Sequence, residues 1–406
     1  MIRMLDTEKI RRDFPALQQT INGKPIIYFD NACVSLKPRQ VIEAMNEYYE
    51  KYPACAGRSI HKLGSKVTEK YHEAREVIAK FINAKTKEII FTRNTTEGIN
   101  LVAHSLNLKR GDIVLTTDKE HNSNLLPWQV LSKTVGIQHK IVFSKKDMTF
   151  DLEAFEKMMD KNVKVVSVVH TSNLDGYTTP AEKIIKIAHD FGALAMLDAA
   201  QSIPYKPVDV KRLGVDFLAF SGHKMLGPSG TGVLFGKYHL LEELNPFLVG
   251  GDTVESSTYN SHVLLKPPER FEAGLQNYAG AIGLAEAARY LERTGKENIE
   301  KHEIELNKFI TKELFSLDGI NIIGPPSAEL RGGIISFNIE GIGFHDIAVM
   351  LDEMANIMIR SGQHCVHSWF NANKIEGSAR ASLYLYNTKE EAQIFIDKIK
   401  EIVKLR

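Results

Sequence analysis

Asp216-Phe217-Leu218-Ala219-Phe220-Ser221-Gly222-His223-Lys224-Met225-Leu226-Gly227-Pro228 is the stretch on which the fold is read. It opens as a short, largely apolar run and ends in polar, chemically capable side chains. An apolar run bounded by a turn signal reads as a strand buried on both faces. The unit recurs upstream. Val163–Val169 runs into His170-Thr171-Ser172-Asn173, and Ala193–Leu197 into Asp198-Ala199-Ala200-Gln201. Asp112–Thr117 runs into Asp118-Lys119-Glu120-His121-Asn122. Helical segments such as Ala181–Phe191 separate some of these strands. Such alternation predicts an α/β fold with a mostly parallel central sheet covered on both faces. In open parallel sheets, ligands bind beyond the carboxyl ends of the strands. Polar ends on all of these strands therefore predict a site at that edge.

Further out the pattern continues, then changes. Lys66–Asn83 has helical spacing, with Val67, Tyr71, Ala74, Ile78 and Phe81 apolar. Glu88–Phe91 reads as a short buried strand and Thr96–Leu108 as a helix. After about residue 280 the helices Ala279–Thr294 and Asn298–Phe315 precede a strand at Gly333–Ile339. A helix at His345–Met354, strands at Asn356–Arg360 and Ala381–Tyr386, and a closing helix at Lys389–Lys404 complete an α+β pattern. The expected division is a large domain over 17–282 and a smaller one over 283–406, joined by the N-terminal segment 1–16.

Composition bounds the function. The 406 residues are 43% hydrophobic and 25% charged, which excludes general disorder. Lys plus Arg number 51 against 50 acidic residues, so no nucleic-acid or membrane partner is expected. Three cysteines cannot build a disulfide framework, and a reducing, cytoplasmic setting is expected. Met1–Asp6 lacks the apolar core of a signal peptide, and no run approaches the ~18 apolar residues of a membrane span. The C-terminal residues read as the last turns of an amphipathic helix.

Gly227-Pro228-Ser229-Gly230-Thr231-Gly232 invites two nucleotide readings, and both fail. A phosphate-binding loop of the Walker type needs Lys and Ser or Thr after the final Gly, where Val233 and Leu234 stand. A dinucleotide fingerprint starting at Gly230 needs a third Gly where Phe235 stands. The glycines instead suit a tight reversal into a strand at Gly232–Phe235. Asp198 and Lys224, each at a strand end, fit pyridoxal phosphate chemistry. That cofactor needs a lysine for covalent anchoring and a carboxylate to keep its ring nitrogen protonated. On spacing alone, a solvated Asp and Lys is the commoner reading.

The flanking residues change that weighting. Ser221–Pro228 resembles the lysine motif of class V, fold-type I pyridoxal-phosphate enzymes. The resemblance runs nearly end to end. It includes Ile10–Pro15, Phe29-Asp30-Asn31-Ala32, Phe91–Asn100, Glu120–Asn124 and Arg270–Gly274. It continues through Arg360-Ser361-Gly362-Gln363-His364-Cys365, Arg380–Leu383 and Tyr386-Asn387-Thr388. The chain is most similar to the group II cysteine desulfurases and selenocysteine lyases. The resemblance implies a large cofactor domain, a smaller α+β C-terminal domain and a homodimer. It implies L-cysteine as substrate, with L-selenocysteine as an alternative, and a sulfur-acceptor or scaffold protein as partner.

The implied roles are specific. Lys224 anchors the cofactor and later shuttles the α-proton, Asp198 pairs with the ring nitrogen, and Gln201 meets the phenolic oxygen. His121 stacks on the ring and can assist proton transfer. Thr95, Thr96, Ser221 and His223 bind the phosphate, at a predicted helix start whose N–H groups favour an anion. Asn173 lies near ring and substrate. Arg380 clamps the substrate carboxylate, a task suited to its planar fork, and Arg58 lines the same pocket. Cys365 decides the reaction. Its polar loop, with His364 and His367 close in sequence, is compatible with a reactive thiolate. Its attack on the substrate sulfur leaves a persulfide and releases alanine. Cys33 and Cys55 read as buried, inert thiols.

Blander readings stand beside these. His121 alone could be a structural histidine, Ser221 a turn residue, Thr95-Thr96 a helix cap and Arg380 a partner of a surface carboxylate. Cys365 could be a small buried hydrophobe. A metal held by His364, Cys365 and His367 would lack a fourth ligand at the usual spacing, so none is expected. Other class V β-eliminating lyases share the Lys–Asp machinery, and a non-catalytic protein could keep the fold. The chain also departs from the family pattern. Leu275 stands where a Thr commonly contacts the neighbouring subunit's phosphate, Gln363 and Gly57 replace histidines, and Val366–Trp369 lacks a usual Pro.

Overall fold

The computed structural model describes residues 5–406. The reading of the N-terminus rests in part on residues 1–4, which lie outside them. The central sheet has seven strands: β1 (Ile89–Thr92), β2 (Ile113–Thr117), β3 (Gln138–Val142), β4 (Val163–Val169), β5 (Leu194–Asp198), β6 (Phe217–Ser221) and β7 (Gly232–Gly236). Their order across the sheet is β1-β7-β6-β5-β4-β2-β3. Only β7 runs against its neighbours. Every residue of β2, β6 and β7 is buried, which is why these strands read as unbroken apolar runs rather than alternating ones.

The antiparallel return of β7 rests on two glycines. Gly230 adopts φ +71°, a left-handed turn conformation that L side chains resist. Gly232 packs against backbone, and a Cβ there would stand 2.6 Å from Asn94 Cα. This close approach fixes the start of the helix that follows β1.

Helices clothe the sheet. We label α1 (Lys62–Phe81), α2 (Thr95–Ser105), α3 (Asn122–Thr134), α4 (Tyr278–Thr294) and α5 (Lys296–Leu314). α1 and α4 pack together with the helix Arg39–Lys51, through Val67, Tyr71, Ala74, Tyr278 and Ala281. Glu272 seals this layer to β1. It takes two hydrogen bonds from Arg75 at 2.7 and 2.8 Å, one from the Tyr71 hydroxyl at 2.9 Å and one from Phe91 N–H at 2.7 Å.

A second sheet contains β8 (Ile320–Ile323), β9 (Ile334–Ile339), β10 (Arg360–Gly362) and β11 (Ser378–Ser382), in the antiparallel order β8-β9-β11-β10. Helices α5, α6 (Phe344–Ala355) and α7 (Lys389–Val403) cover it, with a core of Ile335, Phe337, Leu351, Ala379, Phe395 and Ile399. Two strand expectations need correction. The run Asn356–Arg360 is broken: Asn356 takes a left-handed φ of 51° to end α6, and Ile357–Met358 pairs instead with Ile27–Tyr28. The expected strand Ala381–Tyr386 lies earlier, at 378–382. Leu383 N–H donates to Gly333 O, and Tyr384 N–H donates to the Asn387 side chain. Residues 383–386 are buried, but as a turn; their apolarity alone had read as strand. Among the described residues, no helix is long and apolar enough to cross a membrane.

Candidate active site

A cavity of about 220 Å³ opens at the carboxyl ends of the parallel strands, facing β10 and β11. Each strand end named from the sequence delivers side chains to it. His121, beyond β2, caps α3: Ser123 N–H donates to its Nδ1 at 3.1 Å, which leaves the ring proton on Nε2. Burial and the nearby Lys224 hold the ring neutral, with its pKa pushed down to about 3. Beyond β4, Asn173 is 4% exposed, and its amide Nδ2 donates to His364 O at 2.7 Å. Its Oδ1 is buried without a partner.

Asp198 ends β5 and is 3% exposed. Burial raises its pKa, while the Ala200 N–H at 2.9 Å and the charge of Lys224 pull the other way. Gln201 is held by its amide donating to Ala32 O at 2.7 Å. Beyond β6, Ser221, His223 and Lys224 face the same space. Burial lowers the Lys224 pKa, which favours its neutral, nucleophilic amine.

The α2 terminus completes this wall. Asn94 caps the helix by accepting from Glu97 N–H at 3.0 Å. Thr95 N–H donates to Ser221 Oγ at 2.9 Å, and the two hydroxyls lie 2.6 Å apart. Thr96 Oγ1 lies 2.7 Å from Ser123 Oγ. Hydroxyls at a helix N-terminus, where N–H groups lack intrahelical partners, make a site for an anion.

The opposite wall comes from the second sheet. Arg380 on β11 is 2% exposed. Its Nη1 donates to Asn173 O at 3.0 Å, its Nη2 lies 3.5 Å from Asp30 Oδ1, and its Nε has no partner. Cys365 follows β10. His364 and Cys365 adopt φ 49° and 60°, a conformation unfavourable for residues with side chains. Hydrogen bonds hold this strained turn. Asn122 N–H donates to Cys365 O at 2.8 Å, and His364 Nε2 lies 2.8 Å from Ser378 Oγ. The Cys365 loop is thereby pinned to the first residue of α3.

Two sequence expectations, for Arg58 and Cys33, change. Arg58 does not reach the cavity; it lies ahead of α1, more than half exposed, and pairs with Asp252. His364 is held neutral by burial and by Arg380, with its pKa down to about 2, and His367 Nδ1 meets Asn122 Nδ2 at 2.9 Å. Cys33, expected to be buried, is only partly so: it lines the cavity, and Arg360 Nη1 donates to its sulfur at 2.7 Å. Arg360 also lines the cavity and had drawn no role from the sequence. Arg360 opens a motif already quoted and Cys33 directly follows another, so position was the available signal. Leu275 is 71% exposed and outside this site. Among the described residues, no group of three or more His, Cys, Asp or Glu is gathered to hold a metal.

Comparison with known proteins agrees with this architecture. The family model "Aminotransferase class-V" matches residues 27–395. A Synechocystis sp. protein named "Probable cysteine desulfurase" is 43% identical over 403 residues, covering 97% of this chain and 95% of its own. One of the same name from Pyrococcus abyssi is 44% identical over 400 residues, covering 98% of each chain. The apo structure of a cysteine desulfurase from Thermococcus onnurineus NA1 superposes with a TM-score of 0.95 at 42% identity, covering both chains fully. The chain therefore belongs to the class V aminotransferase family of pyridoxal-phosphate enzymes, on the branch that holds the cysteine desulfurases.

Proposed function

We propose that this chain is a pyridoxal-phosphate-dependent cysteine desulfurase that converts L-cysteine to L-alanine and takes the sulfur onto Cys365. One observation carries the reading: Lys224, Asp198, Arg380 and Cys365, drawn from two separate sheets, face one cavity. The chain's own residues fit the cofactor. Asp198 is a buried carboxylate whose charge calls for a cationic partner, which a protonated ring nitrogen provides. Thr95, Thr96, Ser221 and His223 gather where the positive end of α2 would hold a phosphate. Gln201 would meet the phenolic oxygen, and the neutral His121 ring would stack on the cofactor. Bound there, pyridoxal phosphate supplies an electron sink for the charge left at the substrate Cα.

The remaining steps belong to side chains. Arg380 receives the substrate carboxylate; its unpartnered Nε and the unpartnered Asn173 Oδ1 are the polar atoms that a zwitterion would satisfy. Lys224 would anchor the cofactor and take the substrate α-proton at Nζ, with the neutral His121 lining the same cavity. The Cys365 thiolate attacks the substrate sulfur. The Cβ–S bond breaks, an S–S bond forms, and Cβ gains the electron pair and a proton to become the methyl of alanine. Cys365 is partly exposed, which supports onward delivery of its persulfide to a sulfur-acceptor or scaffold protein. Three free cysteines suit the reducing cytoplasm. A homodimer follows from the family, and the exposed Tyr259, Leu275 and Val249 offer it apolar surface.

Alanine and protein-bound sulfane sulfur are measured after L-cysteine is added to wild type and to Cys365→Ala. The variant should keep the cofactor's visible absorption and lose sulfur transfer. Undiminished alanine formation would remove Cys365 from its role. Pyruvate and ammonia as products would assign β-elimination instead.

A further inference from the structure

We propose that Cys33 is a second sulfur-carrying thiol of this cavity, taking the sulfane sulfur from Cys365 and freeing it for another turnover. The inference rests on the desulfurase reading above. Cys33 is partly exposed and shares the cavity with Cys365. Lys224 lines the same cavity as both sulfurs. Cys33 also lies in the field of Arg380, and the Arg360 guanidinium donates to its sulfur at 2.7 Å. Arg360 and Arg380 stand opposite each other on β10 and β11, so both guanidiniums border one face of the cavity. A thiol kept only for packing would sit among apolar side chains. Cationic, accessible surroundings mark reactive thiols instead. The buried, unpartnered Arg380 Nε and Asn173 Oδ1 show that this space is built to receive a ligand. Cys55, by contrast, lies outside the cavity, with Ala56 O as its hydrogen-bond partner.

The step balances without any redox partner. The Cys33 thiolate attacks the terminal sulfur of the Cys365 persulfide. The bond between that sulfur and Cys365 Sγ breaks, a bond to Cys33 Sγ forms, and Cys365 leaves as a thiolate. One persulfide replaces another, with no net oxidation. A chain lacking an acceptor would then hold sulfur at two positions.

The test uses the holoenzyme, L-cysteine and no acceptor, followed by rapid alkylation, peptide mass spectrometry and alanine quantitation. Wild type should carry sulfane sulfur on both Cys33 and Cys365, with a burst of about two alanines per chain. Cys33→Ser should carry it on Cys365 alone, with a burst of about one. In Cys365→Ala, Cys33 should stay unmodified. Modification of Cys365 alone in wild type would overturn the relay and leave the desulfurase reading standing. A Cys33–Cys365 disulfide with released sulfide would overturn it too, as would direct loading of Cys33 in Cys365→Ala. Absence of sulfane sulfur from both residues would overturn the relay and the desulfurase reading together.

Discussion

Replacing Arg380 by lysine isolates the fork of its guanidinium from its charge. Arg380 lies at the junction of the two sheets, donating to Asn173 O at 3.0 Å and facing Asp30 at 3.5 Å. R380K keeps a cation opposite Asp30, so the half-buried carboxylate is not left uncompensated. What it removes is the planar pair of N–H donors that a carboxylate accepts in parallel. One hydrogen bond to a charged group contributes about 1.5–3 kcal/mol. At about 1.4 kcal/mol per decade, losing one should lower kcat/KM for L-cysteine about 10- to 150-fold. The loss should fall mainly on KM, because the carboxylate is held alike before and during the chemistry. Competitive inhibition by L-alanine, which presents the same carboxylate without the thiol, should weaken by a similar factor. The assay is initial-rate alanine formation over a range of L-cysteine, with denaturant unfolding of the same sample as the control for fold. A folded variant with wild-type KM and wild-type alanine inhibition would refute the assignment.

Other expectations concern the scaffold. Glu272→Ala leaves Arg75 buried and unpaired, so stability should fall by about 3–5 kcal/mol; an unchanged urea midpoint would show the pair to be dispensable. Gly232→Ala drives a Cβ to 2.6 Å from Asn94 Cα and displaces the start of α2. A strain of about 1–3 kcal/mol there should weaken cofactor retention about 5- to 150-fold, read as a dissociation constant by equilibrium dialysis. The buried His170 and His364 titrate at about 4 and about 2 in the folded chain, against 6.5 when unfolded. Between those values the unfolded chain binds protons that the folded chain refuses, so stability is full above pH 6.5 and falls below it. Each histidine should contribute a slope of about 1.4 kcal/mol per pH unit. Urea titrations across that range should show the decline, and His170→Asn should flatten it; an identical slope in the variant would discount His170.

The cofactor wall was legible because parallel, doubly buried strands announce themselves as apolar runs. The chemistry then follows each run at once in sequence, as at Asp198, Ser221 and Lys224. The second wall was harder to read. Arg360 meets Cys33 across 327 positions, and the approach depends on the pairing of β10 with β11 and on the docking of that sheet. No local period carries that information. The surroundings of Cys33 were missed for the same reason: its immediate neighbours are unremarkable, and the guanidinium it meets is distant in sequence. The resemblance to known enzymes assigned Arg58 to the pocket, yet within one chain Asp252 holds it outside. The misplaced strand at 381–386 failed differently. Leu383, Tyr384, Leu385 and Tyr386 are buried as a strand would bury them, but the Asn387 side chain draws the backbone out of the ladder.

Dividing the site between two sheets makes its assembly depend on few contacts, and Asn173 carries two of them. Its carbonyl receives Arg380, and its amide donates to His364 O, one residue before Cys365. Arg380, the proposed carboxylate clamp, and the loop of Cys365, the proposed nucleophile, are thus both referenced to the end of β4. That strand pairs directly with β5, which carries Asp198. Asn122 adds a second reference, fixing Cys365 O to the helix that His121 caps. On the proposed mechanism, a substrate bound between Arg380 and the cofactor wall would present its sulfur to a loop whose position is set by that same wall. The left-handed strain at His364 and Cys365 is consistent with this arrangement, since strained turns persist only where their surroundings over-determine them. Placement of Cys365 follows from the edge of the parallel sheet as well as from the small sheet that bears it.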